Sequence, residues 1–211
     1  MQVAVVDAEL SFGDRRVLER VSARFETATV TALVGPSGSG KSTLLAVMAG
    51  YQRLDAGSVS FVDRNSMRHQ PNPALVAWVP QGANALGTRT VLDNVMIAPL
   101  SEGAGLDAAQ ATAEAALAAV GLLELAEART RTLSGGELQR VSFARALATS
   151  KPLIFADEPS ASLDAANTEV LADLLSKLRS RATLIVATHD PILIDAAEVI
   201  VHLRREHAHA A

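Results

Sequence analysis

TVTALVGPSGSGKSTLLAVMAG, running from Thr29 to Gly50, is the stretch from which the fold is read. Its first seven residues, 29–35, are apolar and β-branched enough for a buried strand. LLAVMAG at 44–50 reads as a helix stopped by Gly50. Between them, GPSGSGKS at 35–42 satisfies the spacing G-x-x-x-x-G-K-[ST], and Thr43 follows. In the loop Gly35, Pro36, Ser37, Gly38, Ser39, Gly40, the three glycines permit positive φ and let phosphate oxygens approach the main chain. Successive N–H groups then form an anion nest at the positive end of a helix. Lys41 is placed to reach the outer phosphates and the Ser42 hydroxyl to ligate Mg²⁺. The stretch therefore implies a nucleoside triphosphate, without saying what its energy is used for.

Outward from this loop the pattern alternates strand and helix, which argues for a mainly parallel sheet covered by helices. Before it, residues 3–10 and 17–25 read as strands separated by a Gly13-Asp14 turn. After it, SVSFV at 58–62 and LVAWVP at 75–80 read as strands. Residues 90–129 carry only helix signals and are rich in alanine; Asp107 with Gln110 has the look of a capping pair, and Gly121 closes that helix. Residues 82–134 are therefore expected to form a helical sub-lobe inserted into the α/β core. The alternation resumes with strands at 152–157, 183–188 and 198–203. A helix at 165–179 puts Val170, Leu171, Leu174, Leu175 and Leu178 on one face.

The totals narrow the function classes. Of 211 residues, 49% are hydrophobic and 20% charged, which fits a well-buried protein and leaves little room for disorder. The net charge of −4 gives no electrostatic footprint for nucleic acid. The absence of cysteine excludes disulfides, thiolate metal sites and cysteine nucleophiles. The start MQVAVVDAEL carries no basic region followed by a long apolar stretch, so a secretory leader is not expected, and no apolar run approaches the roughly 20 residues of a membrane span. His202, His207 and His209 read as a solvated tail rather than a metal site.

Two further motifs carry chemistry. PLIFADEP places Asp157 and Glu158 at the carboxyl end of a buried strand, where open α/β sheets bind ligands. There Asp157 would hold Mg²⁺ and Glu158 would polarise the attacking water. LSGGE at 133–137 precedes a helix, with Ser134 and Glu137 at capping-box spacing. Two glycines in the first helical turn cost stability, so Gly135 and Gly136 make sense if an anion approaches the backbone there. A second phosphate-binding helix start in one chain suggests a nucleotide sandwiched between two copies.

Taken in order, GPSGSGKST, Gln81, LSGGELQR, LIFADEP, SLD and His189 resemble the ABC ATPases along almost the whole chain. The resemblance implies an α/β P-loop NTPase (RecA-like) core at 1–81 and 135–211, with an N-terminal antiparallel β subdomain and a helical subdomain at 82–134. It implies ATP hydrolysis with Mg²⁺, in a homodimer or paralogous heterodimer around two ATP, coupled to integral membrane permease subunits at the cytoplasmic face. By the same resemblance, Gln81 links Mg²⁺ and water to the helical lobe. Ser134, Gly135 and Gly136 contact the partner's ATP, and Asp164 lies at the dimer seam. His189 reaches the γ-phosphate, and Phe12 stacks on adenine. Glu137 stands where glutamine is commoner. Within the family the chain resembles lipoprotein-release and macrolide-efflux ATPases. Its alternative is an ATP-switched assembly or mechanotransmission protein. Residues 82–100 are expected to form the groove for a partner.

Overall fold

A computed structural model describes residues 1–82, 84–178 and 182–203. The end of the helix expected at 165–179, and His207 and His209, lie outside them. The chain opens with a hairpin of β1 (Gln2–Phe12) and β2 (Arg15–Phe25), turned by Gly13 and Asp14. Next come β3 (Val30–Val34), the phosphate loop and α1 (Lys41–Met48), which begins three residues earlier than 44. Strand β4 (Ala56–Val62) returns antiparallel to β1, with short β5 (Arg68–His69) beyond it, giving the order β2-β1-β4-β5.

From β6 (Val76–Val79) the chain leaves the sheets for α2 (Val91–Ser101), α3 (Leu106–Ala119) and α4 (Gly135–Leu147). It then alternates β7 (Leu153–Asp157), α5 (Ala165–Leu178), β8 (Thr183–Thr188), α6 (Pro191–Asp195) and β9 (Val199–His202). The second sheet is wholly parallel, in the order β6-β7-β8-β3-β9.

Every residue of β7 and β8 is buried, as expected of strands covered on both faces. Alternate residues feed two cores. Leu153, Phe155, Ile185 and Ala187 pack with α1 and the antiparallel sheet. Ile154, Ala156, Leu184 and Val186 join Val95, Leu117, Val141, Phe143 and Leu175 from the helices. This sandwich points the carboxyl ends of β3, β7 and β8 at one edge.

Several sequence expectations need correction. Asp107 and Gln110 do not cap α3: Gly105 is its N-cap without a side-chain bond, and Gln110 instead donates to Glu114 one turn on. The cap signal that operates is Thr90 with Asp93, a reciprocal capping box opening α2. Val170 does not join the buried face of α5; it is 47% exposed while Leu171, Leu174, Leu175 and Leu178 are buried. At 3.6 residues per turn it falls on the margin of the stripe.

Candidate functional site

The loop between β3 and α1 is built by its glycines, each for its own reason. Gly38 and Gly40 have φ of 73° and 96°, in the left-handed region that side chains disfavour. Gly35, expected to need the same freedom, is not at positive φ. A Cβ there would lie 2.6 Å from the Leu203 carbonyl and 2.7 Å from Ser39 Oγ. Close packing against the end of β9, not backbone conformation, requires glycine at that position. Gly40 is the N-cap of α1 and supplies no side-chain cap, so the first N–H groups of the helix remain available to an anion.

The functional side chains converge from the strand ends. Lys41, only 6% exposed, donates from Nζ to the Gly35 carbonyl at 2.8 Å and pairs with Glu158 Oε1 at 3.1 Å. His189, at the end of β8, places Nδ1 2.9 Å from Glu158 Oε2. Both carboxylate oxygens of Glu158 are thus engaged by groups from different segments. Glu158 itself holds φ of 43°, a rare conformation for a non-glycine residue that costs about 1–3 kcal/mol. Its backbone is pinned there by donation from Glu158 N to the Ala187 carbonyl at 2.8 Å.

One residue earlier, Asp157 Oδ1 accepts the Ser42 hydroxyl at 2.9 Å. Burial pushes the Asp157 carboxyl above its ordinary value and the Glu158 charge adds to this. The Ser42 hydrogen bond and the Lys41 charge act the other way. A hydroxyl and a carboxylate side by side form an all-oxygen donor pair, the type that Mg²⁺ prefers.

Asp157 is buried behind Ser42, while Lys41, Ser42, Glu158 and His189 line a cavity of about 620 Å³ with Phe12, Pro36, Ser37, Thr43 and Gln81. That is the size class of small-molecule sites. Phe12 is 52% exposed, an aromatic ring presented to the cavity rather than buried in the core. Two lining residues, Arg15 and Val17, escaped the sequence reading. The signal available was the hairpin itself: Phe12 pairs with Arg15 across the turn, and directly opposed residues share a face.

Ser134, Gly135, Gly136 and Asp164 do not line this cavity. They form a separate cluster where the start of α4 meets the start of α5. Asp164 accepts from Asn167 N at 2.9 Å and from Asn167 Nδ2 at 2.8 Å, which caps α5. A Cβ on Gly136 would lie 2.2 Å from Asn167 Oδ1, so a side chain there would have to push the Asn167 amide aside from Asp164. Gly135 has no such neighbour; its nearest contact would be the Ser162 carbonyl at 3.7 Å. The expected Ser134–Glu137 capping box is present in both directions.

A glycine loop joining an inner parallel strand, β3, to an uncapped helix start, with an acidic pair at the end of β7 on the far side of β8, defines a P-loop nucleotide-binding protein. The family model described as ABC transporter matches residues 18–161, and the chain belongs to that family: it is an ABC-type ATPase, which binds and hydrolyses ATP. The lipoprotein-releasing system ATP-binding protein LolD of Bacteroides thetaiotaomicron is 37% identical over 202 residues, covering 92% of each chain. The cell division ATP-binding protein FtsE of Escherichia coli is 37% identical over 188 residues, covering 86% of this chain and 85% of that one. Among solved structures, the dimeric post-hydrolysis cassette MJ0796 bound to ADP and Pi superposes with a TM-score of 0.79. It is 28% identical, over 96% of this chain and 94% of that one.

Proposed function

We propose that two copies of this chain pair head to tail around two ATP molecules and drive a separate integral membrane permease from its cytoplasmic face. The observation that carries this reading is the separation of two half-sites. Lys41, Glu158 and His189 meet in one cavity, while Ser134, Gly135 and Gly136 open a second helix start outside it. A second copy would bring its α4 start to the first copy's cavity, and Asp164 would lie at the seam. The γ-phosphate then favours the closed pair by differential affinity.

Within one half-site the residues divide the work. The loop 35–40 and Lys41 hold the phosphates, with Thr43 extending the helix start and Phe12 stacking on adenine. Ser42 and Asp157, with Gln81, would hold Mg²⁺, which supplies charge neutralisation at the phosphate oxygens. Glu158 accepts a proton from the attacking water as its carboxylate exchanges Lys41 for that water, and His189 steadies the terminal phosphate. The core at 1–81 and 135–211 carries this chemistry, and the helical subdomain at 82–134 transmits it.

Residues 82–100 are the proposed docking groove. Leu86, Ile97 and Leu100 are exposed there. Leu86 is held in place because buried Asn94 accepts from its N–H at 2.7 Å and donates to its carbonyl at 3.2 Å. Among the described residues no helix is long and apolar enough to cross a membrane. The relationship to a cell division ATPase favours a second reading, in which the same switch assembles or mechanically signals instead of transporting. The net charge of −4 argues against nucleic acid in either case.

Affinity purification of a Glu158→Gln variant with ATP from detergent-solubilised membranes, followed by mass spectrometry, tests the reading. Stoichiometric recovery of a polytopic membrane protein supports a permease partner. Recovery with soluble partners only would leave the ATPase and remove the transport role.

A further inference from the structure

The start of α4 carries its own competitor for a phosphate. Ser134 Oγ donates to Glu137 Oε2 at 2.8 Å, and Ser134 N donates to the same oxygen at 2.8 Å. In return Glu137 N donates to Ser134 Oγ at 3.3 Å. A serine hydroxyl has one proton to give. A phosphate oxygen, like a carboxylate oxygen, can only accept. The two acceptors therefore compete for a single donor. The Ser134 backbone N–H, then its hydroxyl, hold the Glu137 carboxyl below its ordinary value, so it is anionic at neutral pH. That charge sits on the positive end of the helix dipole, which an incoming phosphate would also use.

We propose that Glu137 is a positioning residue that weakens closure of the ATP-bound pair, by holding the Ser134 proton and placing a negative charge where the partner's γ-phosphate must arrive. The inference rests on the reading of Ser134 as a contact to the other copy's ATP. Glutamine at the same position keeps an acceptor for Ser134 N, since a capping box accepts Glu or Gln. It removes the charge and releases the hydroxyl from an acceptor-only partner. Glu137 thus sets how much ATP closes the pair in the absence of other partners.

The test compares the Glu158→Gln protein with the Glu158→Gln/Glu137→Gln protein, titrating Mg-ATP and reading the dimer fraction by sedimentation at low and high salt. One helix-terminal charge is worth about threefold per site, and two sites closing together give about tenfold. The protein concentration for half-dimerisation is therefore expected to fall about tenfold in the double variant. Its dimer should also become less dependent on salt, because a repulsion has been removed. Affinity of the dilute monomer for a fluorescent ATP analogue should not move, since Glu137 lies outside the monomer's own cavity. Unchanged or weaker dimerisation, with melting temperature preserved, overturns the role of Glu137. A Ser134→Ala control separates the two layers. If that variant dimerises as readily as its parent, the reading of the α4 start has failed, and the role of Glu137 fails with it.

Discussion

Replacing Glu158 with glutamine should push nucleotide-free stability and catalysis down while leaving ATP binding intact. Glu158 is 13% exposed and bonds Lys41 at 3.1 Å and His189 at 2.9 Å. Removing one partner of a buried pair costs about 3–5 kcal/mol when the other charge is stranded. Lys41 is not stranded: it keeps the Gly35 carbonyl at 2.8 Å, and glutamine still offers a carbonyl oxygen. The cost should therefore be lower, about 1–3 kcal/mol. For a chain of this length that lowers the nucleotide-free melting temperature by about 2–12 °C. Saturating Mg-ATP should recover most of the loss, because phosphate then replaces the carboxylate as the partner of Lys41. Turnover should fall at least 10²-fold through loss of the proton acceptor. Thermal melts with and without nucleotide, alongside a phosphate-release assay, read both quantities. Turnover within about fivefold of wild type would refute the general-base assignment. An unchanged nucleotide-free melt would refute the energetic weight given to the Lys41–Glu158 pair.

Three other perturbations probe separate parts of the argument. Burial raises the Asp157 carboxyl, so its ionisation weakens the folded state: the associated stability is full below the ordinary carboxylate range and is lost as pH rises through the raised value. Asp157→Asn should thus match wild type in acid and be the more stable at neutral pH without nucleotide, while losing Mg²⁺-dependent hydrolysis; denaturant melts at both pH values decide it. Gly136→Ala should destabilise by about 1–3 kcal/mol through its clash with Asn167, and Asn167→Gly in the same chain should recover most of that, as a double-mutant cycle would reveal. Phe12→Ala should leave the melting temperature within error, since the ring is half exposed, but weaken ATP about fivefold or more in equilibrium binding; unaltered affinity would remove Phe12 from the adenine site.

The order of strand, glycine loop and helix was legible because each is written in adjacent residues: apolar runs, the G-x-x-x-x-G-K-S spacing and the Ser134–Glu137 box. The α2 cap was equally local, yet Thr90 and Asp93 lay in a stretch read only for its alanine-rich helical texture. Val170 and Asp107 were misplaced because periodicity gives the stripe and not its margins, and a cap residue competes with its neighbours for one geometry.

Sequence by itself determined the family, the phosphate loop and the alternation that makes a parallel sheet, since backbone conformation and short-range hydrogen bonding depend on neighbours along the chain. Only the tertiary structure decided that Ser42 meets Asp157 from 115 positions away, and that Lys41 and His189 grip opposite oxygens of one carboxylate. It also decided that Arg15 shares the Phe12 face, that Gly35 is small because the Leu203 carbonyl presses on it, and that the Asn167 amide lies against Gly136. Such contacts follow from the order in which strands pair and from how closely two surfaces pack. Both are properties of the whole sheet, and no single segment carries them.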